Sequence, residues 1–470
     1  MGIHNFHKWA KKNYPDCSKK IINNVTTEHL YIDINFCLHN VAYNTTSSVT
    51  LLKKLCTFIE NMILKITPNK TLTLATDGPA PYAKLLLQRE RRQNISKYMD
   101  ISSKNEINPM CFTPGTIFMT ELGIKMKDFI IKLKQKYKVD VFEYFNGPDE
   151  AELKLIRQLL INHKNHPNDK HIILSNDADV CVMSTSLHCY DKIYIAVKSQ
   201  KEIELFDIKE FGQILKVPYI ENNMMNYDLS FILLLMGNDY LPKLSYISFD
   251  GLIKCYKLVL FKNKFGIINK DFTLNINFMQ DLMVFLAINF KNSGWYKSFY
   301  ATAYNKEMYN NYLQGLIWCI DTYRTAICSK YDYMYQYNAS PHPLGIWYYL
   351  VLYEVQNISK NPTPIPEHIY ALLVLPKKAN KFICERYRKY MDNDLKFLYE
   401  EDNCETCNEF KSQMSKLHEI IEHMEKMGDD NEKQRIEHTV VSKKLSNHRK
   451  THKNISFKDI NFVINLLKKK

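Results

Sequence analysis

From the start of the chain to about residue 250, short apolar runs alternate with longer stretches of helical periodicity. Leu30-Tyr-Ile-Asp-Ile-Asn, Thr71-Leu-Thr-Leu-Ala-Thr, Val139-Asp-Val-Phe-Glu-Tyr, Lys170-His-Ile-Ile-Leu-Ser and Lys192-Ile-Tyr-Ile-Ala-Val read as strands. Helical patterns cover residues 49–66, 82–98, 120–137 and 150–163. Strands separated by helices predict βαβ units, hence an α/β fold with a mainly parallel central sheet flanked by helices. Past residue 250 the strand signals fade and aromatic-rich helical patterns take over, for example Gly345-Ile-Trp-Tyr-Tyr-Leu-Val-Leu-Tyr-Glu. The pattern divides the chain into a sheet-bearing domain at 1–250, a mostly α-helical domain at 251–440 that includes a charged helix over 408–438, and a basic tail at 441–470. The tail carries nine Lys/Arg against one acid and reads as a mobile basic arm or, equally, a solubilising tail.

In parallel α/β sheets ligands bind beyond the carboxyl ends of the strands, and acids collect there. Strand alternation puts Asp33 and Asn35 on one face of the first run, with Ile32 and Ile34 on the other. Asp77 follows the second run, and Asp177 and Asp179 follow the fourth. Glu150 and Glu152 open a helical pattern, and Asp239 lies in Gly237-Asn-Asp-Tyr-Leu-Pro after an apolar helix. Each has an ordinary structural explanation. Asp33 can cap a loop, Asp77 can form an Asp-Gly turn, Asp149 can N-cap a helix with Glu152 completing a capping box, and Asp239 can end a helix turn. Asp177 and Asp179, at i and i+2 on an extended end, point the same way and repel unless a cation joins them. What distinguishes the set is its joint presence in one half of the chain. Carboxylate donors suit Mg²⁺ or Mn²⁺. Two such ions can activate a water and stabilise the leaving oxygen in phosphodiester hydrolysis.

Just after Asp77, Pro81 suits the first turn of a helix. Lys84, Gln88, Arg91 and Arg92 then recur at i, i+4, i+7 and i+8 along one face. Such a face is commonly a solvated basic surface; its nearness to Asp77 favours a terminal phosphate, which guanidinium, ammonium and amide groups all bind.

Charge supports a polyanionic partner. Lys and Arg total 63 against 50 acids, a formal charge of +13. The twelve cysteines are scattered, most in apolar runs, and point to a reducing compartment. Cys404-Glu-Thr-Cys407 is the sole CxxC, with no second CxxC at zinc-ribbon spacing, and weakly supports a metal knuckle. The start lacks an apolar secretory core, and the longest apolar run, residues 346–353, is too short to cross a bilayer. A soluble, intracellular protein is expected.

These motifs resemble the XRN 5′→3′ exoribonucleases, within the wider PIN-like and flap-endonuclease-related nucleases. Met1-Gly-Ile-His-Asn-Phe-His-Lys-Trp is similar to the family's start, and Asp33-Ile-Asn-Phe-Cys-Leu-His39 to its first acidic motif. The most specific match is Asp77-Gly-Pro-Ala-Pro-Tyr-Ala-Lys84-Leu-Leu-Leu-Gln88-Arg-Glu-Arg91-Arg92. Glu150-Ala-Glu152, Asp177-Ala-Asp179 and Gly237-Asn-Asp239-Tyr-Leu-Pro follow in the family's order. The likeness covers roughly residues 1–440 and is strongest in the first 250.

The resemblance implies that the seven acids bind two Mg²⁺ ions, that Lys84, Gln88, Arg91 and Arg92 select a 5′-monophosphate, and that His39 stacks on entering bases. It implies hydrolysis of single-stranded RNA to 5′-mononucleotides; a monomer, in the cytoplasm more than the nucleus, is expected. A 5′-flap DNA endonuclease and a catalytically silent RNA-binding protein are the competing readings. The chain departs from the family after Met391. There the family carries an Asn-Gly-Lys segment and then a Trp, and this chain reads Asp392-Asn-Asp-Leu-Lys-Phe-Leu-Tyr. The large C-terminal extensions of cytoplasmic members are also absent from this sequence.

Overall fold

The structure, a computed structural model, describes residues 2–43, 45–98, 107–199, 202–289, 305–337, 340–400, 404–427, 431–449 and 455–468. Seven strands form one sheet: β1 (Ser18–Lys20), β2 (Val25–Asp33), β3 (Ile66–Ala75), β4 (Asp140–Tyr144), β5 (His171–Leu174), β6 (Ile193–Lys198) and β7 (Ile203–Asp207). Their spatial order is β1-β7-β6-β5-β2-β3-β4. The five strands from β4 to β6 run parallel; β7 returns antiparallel to β6, and β1 lies antiparallel beyond it.

Alternation along the central strands divides the interior. Leu30, Ile32, Leu72, Leu74, Ile172 and Leu174 face one core, while Tyr31 and Ile173 face the other. With both faces covered, the central strands read as nearly continuous apolar runs. The helices of the sheet region are α1 (Phe6–Asn13), α2 (Ile34–Val41), α3 (Ser48–Lys65), α4 (Tyr82–Tyr98), α5 (Ile117–Tyr137), α6 (Ala151–Asn165), α7 (Ala178–Thr185), α8 (Ile208–Gly212) and α9 (Met225–Leu234). They are followed by α10 (Phe249–Asn263), α11 (Ile276–Asn289) and the helices Lys306–Thr325, Pro343–Leu352, Glu367–Val374, Glu385–Asp392, Glu405–Met427, Glu432–Arg449 and Phe457–Lys468. Both large cores draw on residues from either side of residue 250.

Three expectations change. The helix foreseen over 408–438 is two helices, Glu405–Met427 and Glu432–Arg449, packed on each other. The tail is not a loose arm where it is described. Ile460, Val463, Ile464 and Leu467 of the helix Phe457–Lys468 are buried in the core, and Asn461 Oδ1 accepts from the Tyr82 hydroxyl at 3.1 Å. Its lysines mask an apolar face at helical spacing. The first strand also ends earlier than its alternation suggests, because α2 begins at Ile34. Asn35 therefore leaves on a helix.

The order reverses at β2: β3 and β4 lie on one side, and β5 and β6 on the other. The crevice beyond the carboxyl ends of β2 and β5 is thus the switch point where such sheets receive ligands.

At the opposite end, His171 opens β5 fully buried, its Nδ1 3.0 Å from the Tyr31 hydroxyl and its ring stacked on His29. Burial first, then the neighbouring His29 and His163, push its pKa down to about 3. The unfolded chain takes up that proton near the ordinary histidine value, about 6.5. Stability from the neutral ring is therefore fully present above that value and drains away as pH falls towards about 3. Urea melts at pH 7.5 and pH 5 should show the wild type losing up to about 2 kcal/mol more than His171→Gln. Equal losses in the two proteins would refute a buried neutral His171.

Candidate active site

Asp33 is the last residue of β2 and N-caps α2, accepting from Phe36 N at 3.0 Å. Asp77 lies in the loop after β3; its N–H donates to Asn35 Oδ1 at 3.1 Å, and its Oδ1 accepts from Ala151 N at 3.0 Å. Asp77 thereby serves the first turn of α6, an orphan donor that would otherwise lack a partner. Glu150 is the N-cap residue of α6 and Glu152 lies in its first turn. The alternative in which Asp149 caps α6 does not hold. Asp149 adopts a left-handed conformation (φ 76°), accepts from Arg157 at 2.6 Å and also receives the Tyr331 hydroxyl. Asp177 caps α7 by accepting from Asp179 N at 3.0 Å. The pair is therefore a cap and a first-turn residue, not two residues of an extended end.

Asp239 enters from the loop after α9, where Gly237 has φ 81°. Arg91 grips it with two guanidinium bonds, 2.8 and 3.2 Å long. Lys84 Nζ lies 2.9 Å from the same carboxylate and donates to Glu150 as well. The hydroxyl of Tyr240 donates to Glu150 from the other side. Tyr240 in turn packs edge-on against Trp318 of the helix Lys306–Thr325, so the helical half supports the site from behind.

Six of the seven carboxylates are buried and Asp77 is partly so. Burial raises Asp33 to about 8, with Asp77 and Asp177 adding to the effect. Burial also pushes Glu152 well up, with Asp77, Asp33, Asp177 and Glu150 contributing. Asp179 is driven up by burial and then by Asp177, Asp239 and Glu150. Asp33, Glu152 and Asp179 each feel at least two of the other acids, as carboxylates lining one acidic bowl would. Asp239 goes the opposite way: burial would raise it, but Lys84 and Arg91 hold it below its ordinary value. Burial would likewise discharge Lys84, yet Glu150, Asp239, Glu152 and Asp177 keep its pKa well above normal.

The phosphate-binding candidates do not form a separate pocket. Lys84 and Arg91 are counter-ions within the acidic bowl. Gln88 is partly buried on α4. Arg92 has a buried Nε without a hydrogen-bond partner. Burial lowers its pKa, while Tyr370 and Asp77 oppose the fall. His39 is exposed on α2 and meets Phe112 edge-on at 5.3 Å.

The donor set fits hard divalent ions. It is oxygen only, it is buried and self-repelling, and Asp179 Oδ1 is buried without a hydrogen-bond partner. Among the described residues, however, no three of these carboxylates bring oxygens within 4.8 Å of one another. Lys84 holds Glu150 and Asp239 together instead.

Residues 1–196 match the family model described as XRN 5'-3' exonuclease N-terminus. Over that segment the chain is similar to the XRN family. It is 29% identical over 297 residues to 5'-3' exoribonuclease 1 of Schizosaccharomyces pombe, covering 52% of this chain and 22% of that protein. To the Saccharomyces cerevisiae protein of the same name it is 25% identical over 382 residues, covering 67% of this chain and 24% of the relative. The human one is 28% identical over 217 residues, covering 40% and 13%. The chain thus spans less than a quarter of the length of these relatives.

Three residues of the matched segment escaped the sequence reading as parts of the site. Asn35 ties the Asp33 and Asp77 segments together, donating to Phe112 O at 3.4 Å and accepting from Asp77 N. Lys154 is buried beneath the Asp77 loop and donates to the carbonyls of Thr76 and Gly147 at 3.0 and 3.2 Å. Burial lowers its pKa to about 8 against the pull of Asp77 and Asp149. Gly2, with φ 69°, is pressed against the acids; a Cβ there would stand 2.7 Å from Asp179 Oδ1 and closer still to Asp177. The glycine at position 2 and the family-like first nine residues were the available signal.

Proposed function

We propose that this chain is a 5′→3′ exoribonuclease that hydrolyses 5′-monophosphorylated, single-stranded RNA to 5′-mononucleotides with two Mg²⁺ ions. One observation carries the reading: Asp33, Asp77, Glu150, Glu152, Asp177, Asp179 and Asp239 share a bowl into which Lys84 and Arg91 of α4 project. The match of residues 1–196 to the XRN N-terminal model and the +13 charge support the same conclusion. The seven acids would hold the ions, which supply an activated water and a clamp on the leaving oxygen. Arg91 offers a planar fork and Lys84 a point charge to a terminal phosphate. The acids and the phosphate compete for those two cations, so 5′-end recognition and neutralisation of the bowl are coupled. His39, supported at one edge by Phe112, presents a ring to an incoming base. Extra phosphates or a cap exceed what one buried lysine and one partly exposed arginine on one helix can accommodate.

The test is a time course on matched RNAs bearing 5′-phosphate or 5′-hydroxyl, with Mg²⁺ or with EDTA. Mononucleotides should accumulate from the 5′-phosphate RNA, at least about tenfold faster than from the 5′-hydroxyl RNA, and EDTA should stop both. Equal rates on both ends would remove the phosphate assignment. Preference for a branched DNA would make the protein a flap endonuclease, and tight binding without products would make it a silent RNA binder.

A further inference from the structure

We propose a zinc site at Cys404, Cys407 and His448 that staples the helical hairpin Glu405–Met427/Glu432–Arg449. Cys404 and Cys407 stand at the start of the first helix, and His448 at the end of the second. Antiparallel packing brings those ends together. The three ligand atoms all lie within 4.8 Å of one another, and Cys404 Sγ is 3.3 Å from His448 Nε2. Zinc bonds of ~2.3 Å to sulfur and ~2.0 Å to nitrogen, set tetrahedrally, ask for ligand separations of roughly 3.5–3.8 Å. A small inward adjustment therefore satisfies the metal. Neither cysteine forms a disulfide among the described residues. Thiolate and imidazole donors select zinc over Mg²⁺, so this site and the acidic bowl do not compete for one metal. In sequence, His448 is followed four residues later by His452, giving the order Cys-x2-Cys…His-x3-His.

The site also answers a structural need. The hairpin's own core is small, with Cys407, Met414, Val441 and Leu445 buried apart from the two large cores. A core of that size gains much from a metal staple. The first helix of the hairpin also packs on α4, which carries Lys84 and Arg91. Zinc here would brace the outer side of the helix that presents both cations.

The experiment is metal analysis of the full chain, expressed with zinc and dialysed against Mg²⁺. About one zinc per chain is expected for the wild type and for Asp179→Asn, and little for Cys404→Ser/Cys407→Ser. Should the double variant fail to fold, the wild type loaded with Co²⁺ decides instead. Thiolate-to-cobalt charge transfer and tetrahedral d–d bands support the site. Absence of zinc from the wild type, unchanged zinc in a folded double variant, or a Co²⁺ spectrum without thiolate bands would overturn it. None of these readouts depends on nuclease activity.

Discussion

Asp179→Asn is expected to lower RNA hydrolysis by about three orders of magnitude while leaving the melting temperature unchanged or higher. The two effects have one cause. The Asp179 carboxylate is buried, its Oδ1 has no hydrogen-bond partner, and Asp177, Asp239 and Glu150 repel it. A protein selected only for stability would not keep an acid there. An amide of the same shape removes the repulsion, and with it the charge a divalent ion needs. Single-turnover rates on 5′-phosphate RNA at saturating Mg²⁺, beside thermal melts in EDTA, read both effects. Loss of stability together with near-normal turnover would mean that Asp179 is structural.

The parts of this site visible in the sequence are those with a local signature. The five parallel strands appear as apolar runs because both faces of the sheet are covered. Asp77 and the basic helix are close in sequence, so their pairing could be read directly. β1 and β7 were missed because Ser18-Lys-Lys is short and polar, and Ile203-Glu-Leu-Phe-Asp mixes charge with apolar residues as an outlying antiparallel strand does. Local reading also overreached. Asp33 looked mid-strand because Ile34 continues the alternation, yet its side chain stops the strand by capping α2. What sequence could not convey is distance. Nothing near Lys84 says that it bridges Glu150 and Asp239, 66 and 155 residues on by their numbers. Nothing near Cys404 points to His448, 44 residues away.

Lys84→Met is expected to destabilise the metal-free protein by about 3 kcal/mol, and Mg²⁺ should restore most of that loss. Methionine keeps the length and apolar stem of lysine, so packing on α4 changes little. What disappears is the buried cation that touches both Glu150 and Asp239. Arg91 still holds Asp239, but it has no contact with Glu150 comparable to the lysine's among the described residues. A carboxylate buried without its partner is costly, and a divalent ion then becomes its best available neighbour. Metal affinity should therefore rise, by about tenfold or more, since a competing positive charge has left the bowl. If Lys84 also serves the terminal phosphate, as proposed, discrimination between 5′-phosphate and 5′-hydroxyl RNA should fall in the same variant. Opposite signs for metal affinity and end selectivity are the signature of one cation shared between acids and substrate. Calorimetric Mn²⁺ titration and urea melts with and without Mg²⁺ measure the first part, and paired RNA assays the second. If Mg²⁺ failed to rescue stability, the acids would not be acting as a metal site. If selectivity stayed intact while metal affinity rose, Lys84 would be a counter-ion alone, and Arg91 would carry the terminal phosphate.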